Sequence, residues 1–255
     1  MVPGSILDHD AISSRLFYPW PDPFPDPFYV EGVSGRLGCW YGNLFKGKPT
    51  VIHFHGNGET VGEYRLEFAK RMAALEANLF LAEYRGYGMS EGRPQLVDML
   101  RDVPCIVEAC GVPVENIVFF GRSLGSLYAA HAAALYPRAG GLVLESGIAD
   151  PLGLIVERVN PSQIGVSREG LGEEIARFFN QREKLAAFSG RTLVMHTRND
   201  EIVPVSHAES LYAWAGGAKE LVVFERGYHN NIREINETAY FGHLKKLLAE
   251  SVVGR

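Results

Sequence analysis

The chain has 255 residues, 46% of them apolar and 22% charged, with a formal net charge of −5. That length suits one large domain, or one domain with a small insertion. The acidic balance and the scattered Lys and Arg exclude the electrostatic footprint of a nucleic-acid binder, and no apolar run approaches the roughly 20 residues that span a bilayer. Cys39, Cys105 and Cys110 lack paired spacing, which argues against a disulfide framework and for a reducing compartment. No basic-then-apolar leader opens the chain, so the cytoplasm is the expected location.

Residues 1 to about 28 are expected to form an irregular arm. Pro19, Pro21, Pro23, Pro25 and Pro27 alternate with aromatic and acidic residues and forbid a helix or central strand there. The rings suit packing on the domain; contact with a membrane or partner is the alternative. From Phe28 to Gly42 the pattern predicts an antiparallel hairpin turning at Ser34-Gly35. Thr50 to His55 reads as a strand ending in Gly56-Asn57-Gly58. Thr60-x-x-Glu63 has the form of a capping box, and the helix after it lines up Val61, Tyr64, Phe68, Met72 and Leu75.

Asn78 to Tyr84 is the next predicted strand, followed by the glycine-rich loop Arg85 to Gly92. A helix is expected from about Gln95 to Cys110, kinked at Pro104. Ile117-Val-Phe-Phe120 has the composition of a strand covered on both faces. Gly121-Arg-Ser-Leu-Gly125 follows it, then a helix-forming run that Pro137 stops. Gly141 to Glu145 is another strand, residues 148–190 read as helical pieces, and Arg191 to His196 is a strand ending at Asn199-Asp200. Ser206-x-x-Glu209 is expected to cap a short helix. Lys219 to Phe224 is the last strand, its loop carries Tyr228-His229-Asn230, and one long amphipathic helix with Ile232, Ile235, Leu244 and Leu248 closes the chain. Alternating strands and helices imply a mostly parallel sheet covered on both sides.

In such a sheet, functional groups collect at the carboxyl ends of the strands. Four of those ends carry Gly56-Asn57-Gly58, Ser123, Asp200 and His229. Glycines flanking Ser123 suit a tight strand-to-helix turn with no room for Cβ atoms, which pushes the serine hydroxyl outward. A serine needs a base to take its proton, and an imidazole needs a carboxylate to fix its tautomer. Asp150 and Glu145 rival Asp200 for that role. Arg122 suits either an anionic substrate group or anchoring of the turn. His53 and His55, two apart on one strand, would share a face and could begin a metal site, but nothing else in the chain has ligand-like spacing. His131 and His207 read as ordinary helix residues, and Cys105 and Cys110 as buried ones.

His53-Phe-His-Gly-Asn-Gly58, Tyr84-Arg-Gly-Tyr-Gly-Met-Ser90, Gly121-Arg-Ser-Leu-Gly125, His196-Thr-Arg-Asn-Asp-Glu201 and Gly227-Tyr-His-Asn230 together resemble a serine hydrolase of the α/β-hydrolase superfamily. The likeness is greatest to the branch of bacterial esterase-like and depalmitoylase-like proteins. It covers residues from about 50 to 231. It implies an α/β-hydrolase fold with an eight-stranded, mostly parallel sheet over residues 29–255 and a small helical cap at about 148–190. It also implies Ser123 as nucleophile, His229 as base and Asp200 as acid, with backbone N–H groups of Leu124 and Asn57, or else Gly58, as oxyanion donors. Leu152, Ile155, Val156, Phe178 and Phe179 would line an acyl pocket or pack the cap on the core. The implied activity is cleavage of a carboxylic ester or thioester of a small acyl substrate without cofactor or metal. An amidase or peptidase on the same residues and a non-catalytic binding protein are the alternatives.

Overall fold

The computed structural model describes residues 4–253. Eight strands form one sheet: β1 Phe28–Gly32, β2 Gly35–Gly42, β3 Thr50–Phe54, β4 Asn78–Ala82, β5 Ile117–Arg122, β6 Gly141–Glu145, β7 Arg191–Thr197 and β8 Lys219–Phe224. Their spatial order is β1-β2-β4-β3-β5-β6-β7-β8. β2 runs antiparallel to β1 and β4, and every pair from β4 to β8 is parallel. Helices α1 Asp10–Leu16, α2 Val61–Tyr64, α3 Glu67–Ala74, α4 Asp102–Ala109, α5 Gly125–Leu135, α6 Pro151–Val156, α7 Arg168–Phe179, α8 Gln181–Ala187, α9 Ser206–Trp214, α10 Ile232–Ile235 and α11 Glu237–Val253 complete the fold. None among the described residues is long and apolar enough to cross a membrane.

Strand alternation divides the core in two. Ile52, Phe54, Phe80, Ala82, Ile117, Phe119 and Val194 join one cluster, with α4, α5 and the segment between β6 and β7. Val51, Leu79, Leu81, Val118, Phe120, Leu193 and Met195 point the other way, onto α3 and α11. Both faces of β3 to β6 are therefore dry, which is why these strands read as continuous apolar runs. α5 is enclosed as well. Ala129, Ala130, Ala132 and Ala133 are all buried, and their small side chains let the helix lie close against the sheet.

Several element ends depart from the sequence reading. Residues 10–16 are helical: α1 precedes the proline run, and His9 caps it by accepting the Ala11 N–H. The single helix expected after Thr60 is two, α2 and α3, separated by Arg65 and Leu66. The Glu63 carboxylate does reach back to the Thr60 N–H at 3.0 Å. Pro104 makes no mid-helix kink. It sits in the first turn of α4, where a missing N–H is harmless, and the residues before it tighten into a 3-10 turn, Asp98–Arg101. Ser206 is the first residue of α9, and the cap position falls on Val205. The terminal helix is two helices. Asn236 breaks it and turns its amide to the Arg226 and Ile232 carbonyls, both at 2.9 Å, which leaves Ile235 exposed.

Between β6 and β7 lie α6, a 3-10 turn at Pro161–Ile164, α7 and α8. Ile155 and Phe179 are buried in the first core cluster, and Leu152, Val156 and Phe178 pack against it. The apolar residues of this segment thus hold it on the domain.

Candidate active site

Ser123 follows β5 directly and takes a left-handed backbone conformation, φ 49°, which costs a residue with a Cβ about 1–2 kcal/mol. Its surroundings impose that turn. The Ser123 N–H donates to the Glu145 carbonyl of β6 at 2.8 Å. Its own carbonyl accepts the Ser126 hydroxyl at 2.6 Å. A methyl group at Gly121 would lie 2.5 Å from the Gly125 carbonyl oxygen and 2.7 Å from Ala129 Cβ. One at Gly125 would collide with the Phe54 carbonyl and stand 2.6 Å from that of His55. The two glycines therefore let α5 start against the end of β3, which also brings the loop beginning at Gly56 beside the serine.

The Ser123 Oγ lies 3.0 Å from His229 Nε2. His229 Nδ1 lies 2.9 and 2.8 Å from the two Asp200 carboxylate oxygens. All three residues are buried. Asp200 Oδ1 also accepts the N–H groups of Ile202 and Val203, at 3.0 and 2.7 Å. His196 Nε2 stands 3.2 Å from Asp200 Oδ2 and 2.8 Å from the Val203 carbonyl. Burial alone would raise the Asp200 pKa, but the hydrogen bonds from His196 and His229 and the backbone donor outweigh it. The carboxyl is held well below the usual range and is ionised throughout ordinary pH.

The rivals of Asp200 are engaged elsewhere. Asp150 caps α6, accepting the N–H groups of Leu152 and Gly153 at 3.0 and 3.3 Å. Glu145 binds Arg122 Nε at 3.1 Å and the Tyr240 hydroxyl. Arg122 has no nitrogen to spare for substrate. Its other arms reach the Glu59 carboxylate, the His229 carbonyl at 3.1 Å and Asn230 Oδ1 at 3.0 Å. Burial works against its charge; Tyr64, Glu59 and Glu145 more than offset that and raise its pKa.

Leu124 occupies the position just before α5, so its N–H belongs to the free donors of a helix start. Asn57 lies in the loop after β3. Its side chain is committed to the N-terminal segment and to the loop after β4: Nδ2 donates to the Leu16 carbonyl, and Oδ1 accepts the Tyr18 N–H at 3.1 Å and the Tyr87 hydroxyl at 2.7 Å. Trp20 Nε1 donates to the Gly58 carbonyl at 2.9 Å, and Thr60 donates its hydroxyl to Asp22 at 2.6 Å. Residues 16–22 are thus a strap across the 57–60 loop, a role their sequence does not reveal.

His53 and His55 do not share surroundings. His53 packs among Tyr64, Phe68 and Phe120. Burial, aided by nearby positive charge, drops its pKa well below the ordinary imidazole value. β3 ends at Phe54, so the alternation stops before His55. The His55 ring bridges the Gly56 carbonyl at 2.7 Å and Glu83 Oε1 at 2.6 Å. Burial disfavours its charge, but Glu83 wins and raises its pKa. Among the described residues no three or more His, Cys, Asp or Glu side chains are grouped so as to hold a metal ion. Nothing local in the sequence signals the contact of His196 with Asp200, four residues on, or that of Glu59 with Arg122.

A family model described as serine aminopeptidase, S33, matches residues 46–163. Human protein ABHD12B is 27% identical over 224 residues, which cover 79% of this chain and 61% of that protein. Mouse α/β hydrolase domain-containing protein 17C is 24% identical over 224 residues, covering 86% of this chain and 66% of the relative. The matches thus span no more than two thirds of these relatives' length. The structure of the Pyrococcus furiosus esterase Pf2001 superposes with a TM-score of 0.70 at 15% identity, over 92% of this chain and 99% of that one. Sheet order, elbow and connections define an α/β-hydrolase fold. The family model and the curated relatives support membership of the α/β-hydrolase superfamily.

Proposed function

We propose that this protein is a serine hydrolase that cleaves a carboxylic ester or thioester through an acyl-enzyme. The observation that carries this reading is the unbroken path from Ser123 Oγ through His229 to Asp200, with steps of 3.0 Å and 2.8 Å. His229 Nε2 takes the hydroxyl proton as Ser123 Oγ bonds to the acyl carbon. The carbonyl electrons move onto oxygen, where the N–H groups of Leu124 and Asn57 receive the charge. The bond to the alcohol or thiol then breaks, and the proton passes from His229 to the leaving group. Water, deprotonated by the same imidazole, attacks the acyl-serine and restores the enzyme. Asp200 keeps its charge throughout and fixes the Nδ1–H tautomer. No step calls on a cofactor. We place the protein in the cytoplasm, acting on a small acyl substrate.

The esterase named among the structural neighbours favours the ester reading. The aminopeptidase description of the matching family favours a second one, amide or peptide cleavage on the same residues. The test is labelling with a fluorophosphonate, followed by p-nitrophenyl esters from acetyl to palmitoyl and matched anilides. Labelling lost in Ser123→Ala with the fold intact is expected, with turnover on esters. Anilide turnover exceeding ester turnover would move the peptidase reading to the front. Labelling that persists in Ser123→Ala would refute the assignment of the nucleophile. A protein that neither labels nor turns over would be a binding protein on a hydrolase fold.

A further inference from the structure

Arg122 sits between Gly121 and Ser123 yet faces away from the reaction. Its guanidinium binds groups from three other parts of the fold: Glu59 of the 57–60 loop, Glu145 at the end of β6 at 3.1 Å, and the His229 carbonyl and Asn230 side chain at 3.1 and 3.0 Å. Each is joined to a group the proposed reaction uses. Glu59 Oε2 accepts the Gly56 N–H at 2.6 Å, so it fixes the backbone immediately before Asn57. The Glu145 carbonyl accepts the Ser123 N–H at 2.8 Å. The contacts at residues 229 and 230 hold the backbone from which the imidazole hangs.

The packing leaves no slack. A Cβ at Gly56 would strike the Arg122 guanidinium and lie 2.8 Å from Glu59 Oε2. The first glycine of His55-Gly-Asn-Gly58 is therefore the partner of the arginine inside Gly121-Arg-Ser-Leu-Gly125, although 66 positions separate them. Arg122 is buried, 7% exposed. Its planar fork suits several acceptors at fixed angles, which the point charge of a lysine does not reproduce.

We propose that Arg122 is a positioning residue that sets the oxyanion loop and the His229 loop at their working distance from Ser123. This rests on the serine-hydrolase reading. It predicts that Arg122 contributes to the rate of the covalent step and little to substrate affinity. Misplacement of reacting groups by about 1 Å costs on the order of a hundredfold.

The experiment follows covalent labelling by a fluorophosphonate, which needs the nucleophile, the base and the oxyanion donors but no knowledge of the natural substrate. The maximal labelling rate and the half-saturating probe concentration are measured for the parent, Arg122→Lys, Glu59→Gln, Asn230→Ala and Arg122→Lys/Asn230→Ala, each with a thermal melt. Arg122→Lys should label at least about tenfold more slowly, with half-saturation changed less than about threefold. Adding Asn230→Ala to it should cost nothing further, because the arm that Asn230 receives is already lost. Should Arg122→Lys fail to melt cooperatively, Glu59→Gln and Asn230→Ala decide, each expected to slow labelling at unchanged half-saturation. A folded Arg122→Lys within twofold of the parent rate would overturn the proposal. So would unchanged rates in both milder variants, or a loss confined to half-saturation. A parent that does not label at Ser123 would bring down the underlying reading instead.

Discussion

Replacing Asp200 by Asn keeps nearly every atom and changes what the site can do. The side-chain oxygen can still accept the Ile202 and Val203 N–H groups, at 3.0 and 2.7 Å in the parent, so the turn at 199–203 should hold. The new amide NH2 then stands where Oδ2 faces His229 Nδ1 at 2.8 Å. Oδ1, 2.9 Å from the same nitrogen, already accepts two N–H groups, so the amide donor favours the imidazole tautomer with its proton on Nε2. That nitrogen, 3.0 Å from Ser123 Oγ, then donates to the hydroxyl and can no longer take its proton. Such a tautomer inversion in a serine triad lowers kcat about 10⁴-fold, which is roughly 5.5 kcal/mol of transition-state stabilisation. The assay is steady-state ester hydrolysis with fluorophosphonate labelling of the same preparation and a melt to certify the fold. Asp150→Ala serves as contrast. It removes only the cap of α6, worth about 1 kcal/mol of stability, and should leave turnover within about twofold. An Asp200→Asn protein with more than a tenth of parental activity would refute the reasoning, and a collapse in Asp150→Ala would transfer the role.

Three further outcomes follow from the geometry. Ser123→Gly should abolish turnover yet raise the unfolding free energy by about 1 kcal/mol, because the left-handed strain at φ 49° disappears; urea denaturation showing a loss instead would contradict it. Gly125→Ala drives a methyl group into the Phe54 and His55 carbonyls and should cost about 3 kcal/mol, whereas a loss below about 1 kcal/mol would mean β3 and α5 can move apart. Burial, helped by the Lys184 charge, lowers the His131 pKa to about 4, while the unfolded chain titrates near about 6.5. The unfolded state therefore binds the extra proton between those values, so this contribution is complete above about pH 6.5 and declines as pH falls, by up to about 1.4 kcal/mol per unit. His131→Gln should flatten the stability profile between pH 6.5 and 4 relative to the parent; parallel profiles would dismiss the effect.

The sheet was legible because its strands carry their burial in their composition. Ile117-Val-Phe-Phe120 and Gly141-Leu-Val-Leu-Glu145 are covered on both faces and could be read without alternation. Ser123, Asp200 and His229 could be nominated because each follows a strand end, where a parallel sheet gathers its loops. Helix ends were less legible. α1 lies beside a proline run that suggests irregularity, and the break at Asn236 depends on an amide that bonds across the turn to Arg226. The supporting contacts were hidden for a different reason. Arg122 acts through partners that only the fold brings near, whereas Glu59 and His196 also bond residues a few positions away, and local sequence assigns no partner to such a residue. For Arg122 two roles stood open, substrate anchor or turn anchor. The number of its nitrogens already bonded within the protein favours the second.

The strap at residues 16–22 and the residues just before it bear on the order in which the molecule is assembled. Ser5 bonds Glu174 at a separation of 169 residues, Arg15 bonds Gln163 at 148, and Tyr18 bonds Asn57 at 39. Contacts between such distant positions form only after long loops have closed, and they slow folding accordingly. During synthesis Ser5 and Arg15 emerge long before their partners on α7 and the preceding turn. The strap itself can meet the 57–60 loop much sooner, whereas Ser5 and Arg15 stay unfastened until α7 and the turn before it are in place. One and the same segment is thus fastened in two stages, its strap early and the residues ahead of the strap late.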